Sequence, residues 1–480
     1  MNVRDLEPKI VWNHFSDLNA VPRPSKKEER VIKFIQELGA KLGLDTYTDA
    51  TGNVIIRKPA TAGMEDRQTV IIQSHLDMVH QKNADTNFDF DTQGIEMYVD
   101  DDWVRARGTT LGADNGMGVA AIMSVLSSTD VAHPAIEALF TIDEETGMTG
   151  AMELEKGILK GTILLNLDTE DDDEFSIGCA GGIDTNTTYA YTKEAIIAGN
   201  QTYTITVNGL NGGHSGVQIN EELGNANKIM NRLMYGSEEY NLQIVDINGG
   251  SLRNAIPRES FATIAVNPSY LKELEERIQA IKAEYNIQDP KLSIQVEVTA
   301  QVSEAMSLSD TNKVTTALYA VHNGVFKFSR AIEGLVETSS SLARVIVKEG
   351  EFITQSLQRS SLESGKYDVA YTVAAPFHLM GSEVVQQGDY PGWAPNPTSA
   401  ILDILVAKYK ELFNNEEPKV MAIHAGLECG LLGERVPGLD MISFGPTIKG
   451  AHSPDERCGI KSTAKFWMFL KEILANVPKS

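Results

Sequence analysis

The chain has 480 residues, 42% of them hydrophobic and 22% charged. That is past the ~250–300 residues at which one core stops growing, and the composition excludes broad disorder. Its 42 basic against 66 acidic residues leave a net charge of -24, which repels phosphate backbones and excludes nucleic acid as an expected partner. Surplus carboxylate also suits cations and substrates that carry an amine.

From the N-terminus, Arg4, Asp5 and Glu7 put charge where a signal peptide needs an apolar stretch. No apolar run reaches the ~20 residues of a membrane span. Cys179, Cys429 and Cys458 form neither a disulfide framework nor a paired-cysteine metal knuckle, which fits a reducing compartment. A cytoplasmic protein without a membrane partner is expected.

Ser25-Lys26-Lys27-Glu28 has the form of a capping box, and Val31, Ile32, Phe34, Ile35 and Leu38 continue at helical spacing. Strands are predicted at residues 53–56, 70–73, 138–142 and 162–167, with a helix over 116–126 after a glycine-bearing turn. Alternating strands and helices predict an α/β layer structure with a mixed, mostly parallel sheet flanked by helices.

After Gly182 the pattern shifts to Thr-, Val- and Ile-rich strands. The segment Ser251 to Glu259 resembles Ser341 to Glu349, and each copy leads into a strand with phenylalanine, Phe261 or Phe352. This predicts an inserted α+β domain built from two similar halves. The early style returns near Pro397, with a helix over 399–412, strands at 419–423 and 441–444, and a final helix. The expected domains are therefore 1–182 and 394–480 for one discontinuous catalytic unit, and 183–393 for an inserted lid.

Five short segments place metal-type ligands at strand ends or just beyond them. His75 and Asp77 lie two apart in extended chain and so share a face, although such a pair is also common on surfaces. Asp114 sits among Gly112, Gly116 and Gly118, where a rigid carboxylate could bridge two cations or simply cap a helix. Glu144 and Glu145 follow an apolar strand; a metal pair would relieve their repulsion, with one as ligand and the other as a free base, and a solvated acidic turn is the plain alternative. Asp168 ends the run Ile163 to Leu167, and His452 precedes Pro454 in a turn. Jointly, His, Asp, Glu, Asp and His make an N/O set suited to zinc, cobalt or manganese. Five ligands with one shared carboxylate give two metals three protein ligands each and leave room for a bridging water.

In order and flanking residues, this set resembles the two-zinc exopeptidases of the carboxypeptidase G, aminoacylase and dipeptidase type. Asn211-Gly212-Gly213-His214-Ser215-Gly216, Gly249 to Pro257 and His424 to Gly430 bring it nearest to the bacterial aminoacyl-histidine dipeptidases. The resemblance spans the whole chain. It implies one divalent ion on His75, Asp114 and Asp168 and a second on Asp114, Glu145 and His452, with zinc the first choice. It makes Glu144 the general base, Asp77 the partner of His75, and the Asp114–Asn115 peptide cis. It gives His214 a place beside the scissile carbonyl and makes Asn254, Arg359 and Gly426 substrate-binding candidates. The implied reaction is hydrolysis of a short unblocked peptide, foremost an Xaa-His dipeptide such as β-alanyl-histidine. A tripeptidase or an N-acyl amino acid hydrolase would use the same machinery, and a binding protein could keep the fold without the reaction. The partner is a peptide, and the chain is either a homodimer or a monomer with a doubled lid.

Overall fold

The computed structural model describes residues 2–480. The chain divides into two compact units. The first takes in the chain up to Gly178 together with Trp393–Ala422 and Leu427–Ser480, and the second comprises Cys179–Gly392 with a short return, Ile423–Gly426.

An eight-stranded sheet forms the first unit, in the order Asp45–Thr48, Val54–Lys58, Ile136–Thr141, Val70–His75, Ile163–Asn166, Asp440–Ser443, Glu174–Cys179, Lys419–Ile423. Its centre is parallel: Val70–His75 runs alongside both Ile136–Thr141 and Ile163–Asn166, and Asp440–Ser443 continues the direction. The flanks are antiparallel. Every residue of the three central strands is buried, as expected where helices cover both faces of a parallel sheet. Three of the polar exceptions pair with one another, since Asn166 donates to Gln73 at 2.6 Å and Gln73 in turn donates to Thr141 and to Glu428, while Glu137 accepts from Arg57 and from the Lys160 and Gly161 amides.

The long helix Ala113–Ser127 packs on Val70–His75 and on the N-terminal helix Lys9–Asn19. Beyond its first turn it is largely apolar on all sides, and every residue except Asp114 and Ser127 is buried. The C-terminal return is tied in by aromatic packing, in which Phe175 stacks on Phe469 at 5.4 Å and both meet Tyr409 and Phe444 edge-on. Burying each such ring contributes about 1.5–3 kcal/mol. Among the described residues no helix is long and apolar enough to cross a membrane.

The expected capping box does not form. The helix Glu29–Leu42 has no side-chain cap; Glu28 accepts from the Lys26 amide, while the Ser25 hydroxyl donates to Asp77 at 2.7 Å. A buried carboxylate outcompetes the helix end for that hydroxyl, because hydrogen bonds to charge are the stronger ones.

The second unit holds two copies of one βαββαβ pattern. One copy is Gln201–Asn208, Ala226–Met234, Gln243–Gly249, Ser260–Val266, Leu271–Glu284 and Ser293–Val298. The other is Gly181–Ala190, Leu308–Ala320, Val336–Lys348, Glu351–Ser360, Glu363–Met380 and Glu383–Tyr390. Their strands join into one antiparallel sheet across the contact of Gln243–Gly249 with Val336–Lys348. Phe261 and Phe352 occupy the equivalent third strand of each copy. The similar segments leading to them differ in form: Ser341 to Lys348 continues a strand into a tight hairpin at Glu349 and Gly350, whereas Ser251 to Glu259 is a loop with the two-residue strand Ala255–Ile256.

Candidate metal centre

Three adjacent parallel strands end side by side, so the residues at their C-terminal ends share one edge of the sheet. Val70–His75 delivers His75 and, just beyond it, Asp77. Ile136–Thr141 leads to the turn Glu144–Gly147, and Ile163–Asn166 leads to Asp168. Asp114 comes from the start of the helix Ala113–Ser127, where the backbone departs from helical angles and the Asp114–Asn115 peptide is cis. Gly118 is required there, since a Cβ would lie 2.1 Å from Asn115 Oδ1 and 2.3 Å from Ser74 Oγ. His452 comes from a turn after Ile448–Lys449 and takes a left-handed φ of 63°.

The five side chains converge on Asp114. Its Oδ1 lies 3.2 Å from His75 Nε2, which is also 3.5 Å from Asp168 Oδ1. Its Oδ2 lies 3.0 Å from His452 Nε2, which is 3.1 Å from Glu145 Oε2. The two oxygens of one carboxylate thus face two different His–carboxylate pairs. The same Asp168 oxygen also accepts from the Asn115 side-chain amide.

Asp77 is fully buried and uses both oxygens. Oδ1 accepts from the Glu144 amide at 3.0 Å and faces His75 Nδ1 at 3.4 Å, while Oδ2 accepts from Ser25 Oγ at 2.7 Å and from the Glu145 amide at 3.3 Å. It therefore sets the imidazole and the acidic turn together. Asp143, at a left-handed φ of 56°, is held by Lys26, Thr146 and Thr149. Glu144 has its pKa pushed well up by burial and by Asp168, Glu428 and Glu145, against the pull of His75.

The donor set fits divalent cations. Glu145 Oε1 is buried without a hydrogen-bond partner, an arrangement that is costly unless something electropositive meets it. His75, Asp114 and Glu145 offer ligand atoms within 4.8 Å of one another. The cluster attracts positive charge: hydrogen bonds to Asp114 and Glu145 push His452 up to about 11, and the neighbouring carboxylates raise His75 despite its burial.

The second unit gathers the other candidates. His214, in the short strand Gly213–His214, accepts at Nδ1 from the Gly216 and Val217 amides at 3.2 and 3.0 Å. That assigns the proton to Nε2 and makes His214 a donor. Burial, then Arg359, lowers its pKa, which keeps the ring neutral. The Asn254 carbonyl accepts from the Ser215 amide at 2.9 Å, linking its loop to the His214 turn. Arg359 is buried, donates to Tyr390 at 2.9 Å, and leaves Nε unpartnered. Gly216 packs so tightly that a Cβ would lie 3.0 Å from Arg359 Nε and 2.1 Å from the His424 carbonyl, two residues before Gly426.

Four residues here escaped the sequence reading. Arg23 and Glu456 lie buried behind the ligand loops, Tyr390 partners Arg359, and His424 bonds Ser339 at 2.7 Å. Glu428, which the sequence reading did single out within the His424 to Gly430 motif, is fully buried, its Oε2 accepting from Gln73 and Thr141. Single buried charges carry no periodic signal in sequence, so only their position beside a motif, as with Glu456 after His452, could have drawn notice.

The sheet, the inserted antiparallel unit and the carboxylate–imidazole cluster together define a metal-dependent peptidase. The chain belongs to peptidase family M20/M25/M40, whose model matches residues 71–476. It is 42% identical to the cytosol non-specific dipeptidase of Escherichia coli over 98% of both chains. Aminoacylhistidine dipeptidase from Vibrio alginolyticus superimposes with a TM-score of 0.95 at 42% identity, covering 100% of this chain and 99% of that one. Aminopeptidase PepT from Bacillus cereus shares the fold, with a TM-score of 0.57 at 16% identity over 98% and 99% of the two chains.

Proposed function

We propose that this chain is a cytoplasmic two-metal dipeptidase that hydrolyses unblocked dipeptides, Xaa-His dipeptides such as β-alanyl-histidine foremost. The observation that carries the reading is Asp114, whose two oxygens face two separate histidine–carboxylate pairs at 3.0–3.2 Å. The names of the two 42% identical relatives, a cytosol non-specific dipeptidase and an aminoacylhistidine dipeptidase, support the substrate class and the compartment.

His75, Asp114 and Asp168 would hold one divalent ion, and Asp114, Glu145 and His452 the other, zinc being the first choice. Bound there, the pair supplies Lewis acidity and a water acidified toward neutral pH. Glu144 takes a proton from the attacking water as the new C–O bond forms. It gives that proton to the amide nitrogen as the C–N bond breaks, so one carboxylate serves as base and then as acid. Burial suits it to hold the proton between the two steps. His214 Nε2–H is a neutral donor for the charge that develops on the carbonyl oxygen. Arg359, with Nε unpartnered, and Asn254 are the candidates for gripping the substrate's carboxylate, and Gly426 is a further substrate-binding candidate.

The test is Glu144→Gln, assayed on β-alanyl-histidine, other dipeptides, a tripeptide and an N-acyl amino acid with added zinc. Full metal content with turnover down by ~10³-fold or more is expected for a base. Substantial activity in that variant, or a wild type that prefers the tripeptide or acyl substrate, rejects the assignment.

A further inference from the structure

Two buried charges outside the five proposed ligands grip the backbone that carries them. The Glu456 carboxylate accepts four consecutive amides: Leu111 and Gly112 bond to Oε2 at 2.7 and 2.9 Å, and Ala113 and Asp114 bond to Oε1 at 2.7 and 3.2 Å. Arg23 works from the other side. Its Nη1 donates to the Leu76 and Asp77 carbonyls at 3.1 Å each, and its Nη2 donates to the Gly112 carbonyl at 2.6 Å and to Asn19 Oδ1 at 3.0 Å. Both side chains are almost wholly buried, at 1% and 2% exposure.

We propose that Arg23 and Glu456 are positioning residues that hold His75, Asp114 and His452 in their binding arrangement before any metal arrives. The inference rests on the metal-centre reading above. Arg23 cross-links the end of the strand bearing His75 to the loop bearing Asp114. Glu456 lies four residues after His452 in a tight turn, where the Glu456 amide bonds the Ser453 carbonyl at 3.0 Å. It therefore fastens the His452 turn to the Asp114 loop. Three of the five side chains come from remote parts of the sequence, and these two residues tie all three backbones together.

The geometry also explains why the loop tolerates burial. Four amides in succession, at the start of a helix, would otherwise lack acceptors. A carboxylate beneath them meets all four with charge-assisted bonds. The hydrogen bonds of both residues go to backbone groups and to Asn19, and none goes to a ligand side chain. Their effect passes through the ligands, as it does for partners that orient metal-binding side chains.

The experiment compares full-length wild type with Glu456→Gln and Arg23→Lys, using zinc as the probe in competition with a chromogenic chelator. Glutamine keeps the shape but sets an NH2 against two backbone amides, and lysine keeps the charge but loses the fork. Zinc affinity is expected to fall ~10–100-fold in Glu456→Gln and less in Arg23→Lys, with the KM for the dipeptide unchanged once zinc saturates. Hydrogen exchange on metal-free wild type supplies a readout that needs no variant: amides 111–114 are expected to stay protected without zinc. Variants that melt earlier yet bind zinc as tightly as wild type would show a merely structural role and overturn the proposal, as would rapid exchange of those amides. A wild type that fails to bind two zinc ions would overturn the metal-centre reading with it.

Discussion

Asp77→Asn separates orientation from ligation, because Asp77 touches three functional parts at once. Its two oxygens serve the Glu144 amide, the Glu145 amide, Ser25 Oγ and the face of His75 Nδ1. Asparagine keeps one acceptor. With its oxygen toward Glu144 and His75, the new NH2 confronts the Glu145 amide; turned round, it confronts the Glu144 amide and His75. The Ser25 hydroxyl can rotate to accept, but neither backbone amide can. One buried amide therefore loses its partner in either pose, at a cost of about 1–3 kcal/mol. That turn carries both the proposed base and a proposed ligand, so the cost appears as displaced chemistry. In the first pose the oxygen still faces His75 Nδ1, which the Asp77 carbonyl also holds at 3.2 Å, so the imidazole keeps its tautomer and the cost falls on the acidic turn. The expected outcome is a fall in kcat/KM of about 5–150-fold at saturating zinc, each 1.4 kcal/mol counting tenfold, with both metal sites still filled. Ser25→Ala, which removes one hydroxyl, should lose only about 0.5–1.5 kcal/mol. An Asp77→Asn enzyme within about threefold of wild type, below the roughly fivefold that the lower bound of 1 kcal/mol implies, would refute the reasoning.

Gly118→Ala places a methyl against Asn115, Ser74 and the Leu167 carbonyl, the last at 2.6 Å; such overpacking costs about 1–3 kcal/mol or more, and a lower melting temperature with reduced activity is expected in thermal denaturation and dipeptide assay. Chelation should abolish activity and also lower the melting temperature, since bound cations stabilise the folded state alone; differential scanning calorimetry with and without zinc checks this. Tyr270 is fully buried and donates to the Leu233 carbonyl, and burial pushes its pKa up to about 12. An acid with a raised folded pKa keeps its proton after the unfolded chain has released its own, so this contribution is intact below pH 10 and is lost as pH rises toward 12. About 1.4 kcal/mol per pH unit follows in that window, and Tyr270→Phe should remove that slope from urea melts even as it forfeits the hydrogen bond.

What the sequence made legible follows from the physics of each element. Val70 to Gln73 and Ile163 to Leu167 could be read because strands buried on both faces must be apolar runs. His75 and Asp168 stood out by breaking those runs where the strands end. The capping box at Ser25 misled because local spacing says nothing of a buried carboxylate arriving from residue 77. The similarity of residues 251–259 and 341–349 correctly aligned the third strands of two halves, yet it could not reveal that one copy bends into a loop while the other stays extended. Arg23 stayed invisible for a different reason: its four acceptors lie at residues 19, 76, 77 and 112, and no window along the chain contains them.

The placement of the cluster is a consequence of the sheet. Parallel neighbours end on the same edge, so Val70–His75, Ile136–Thr141 and Ile163–Asn166 bring an imidazole, an acidic turn and a carboxylate to one line about two strand spacings wide, ~10 Å. An antiparallel sheet would send the middle residue to the opposite edge. Asp114 and His452 then have only to approach from the open side, which a helix start and a turn can do, with their backbones fixed by Arg23 and Glu456 rather than by sheet hydrogen bonds. The strand-borne positions are therefore the ones the fold guarantees, and the loop-borne ones need dedicated braces. Substitutions at the braces should accordingly disturb Asp114 and His452 more than Asp168, a ranking that metal-bound structures of Glu456→Gln can read from which side chains move.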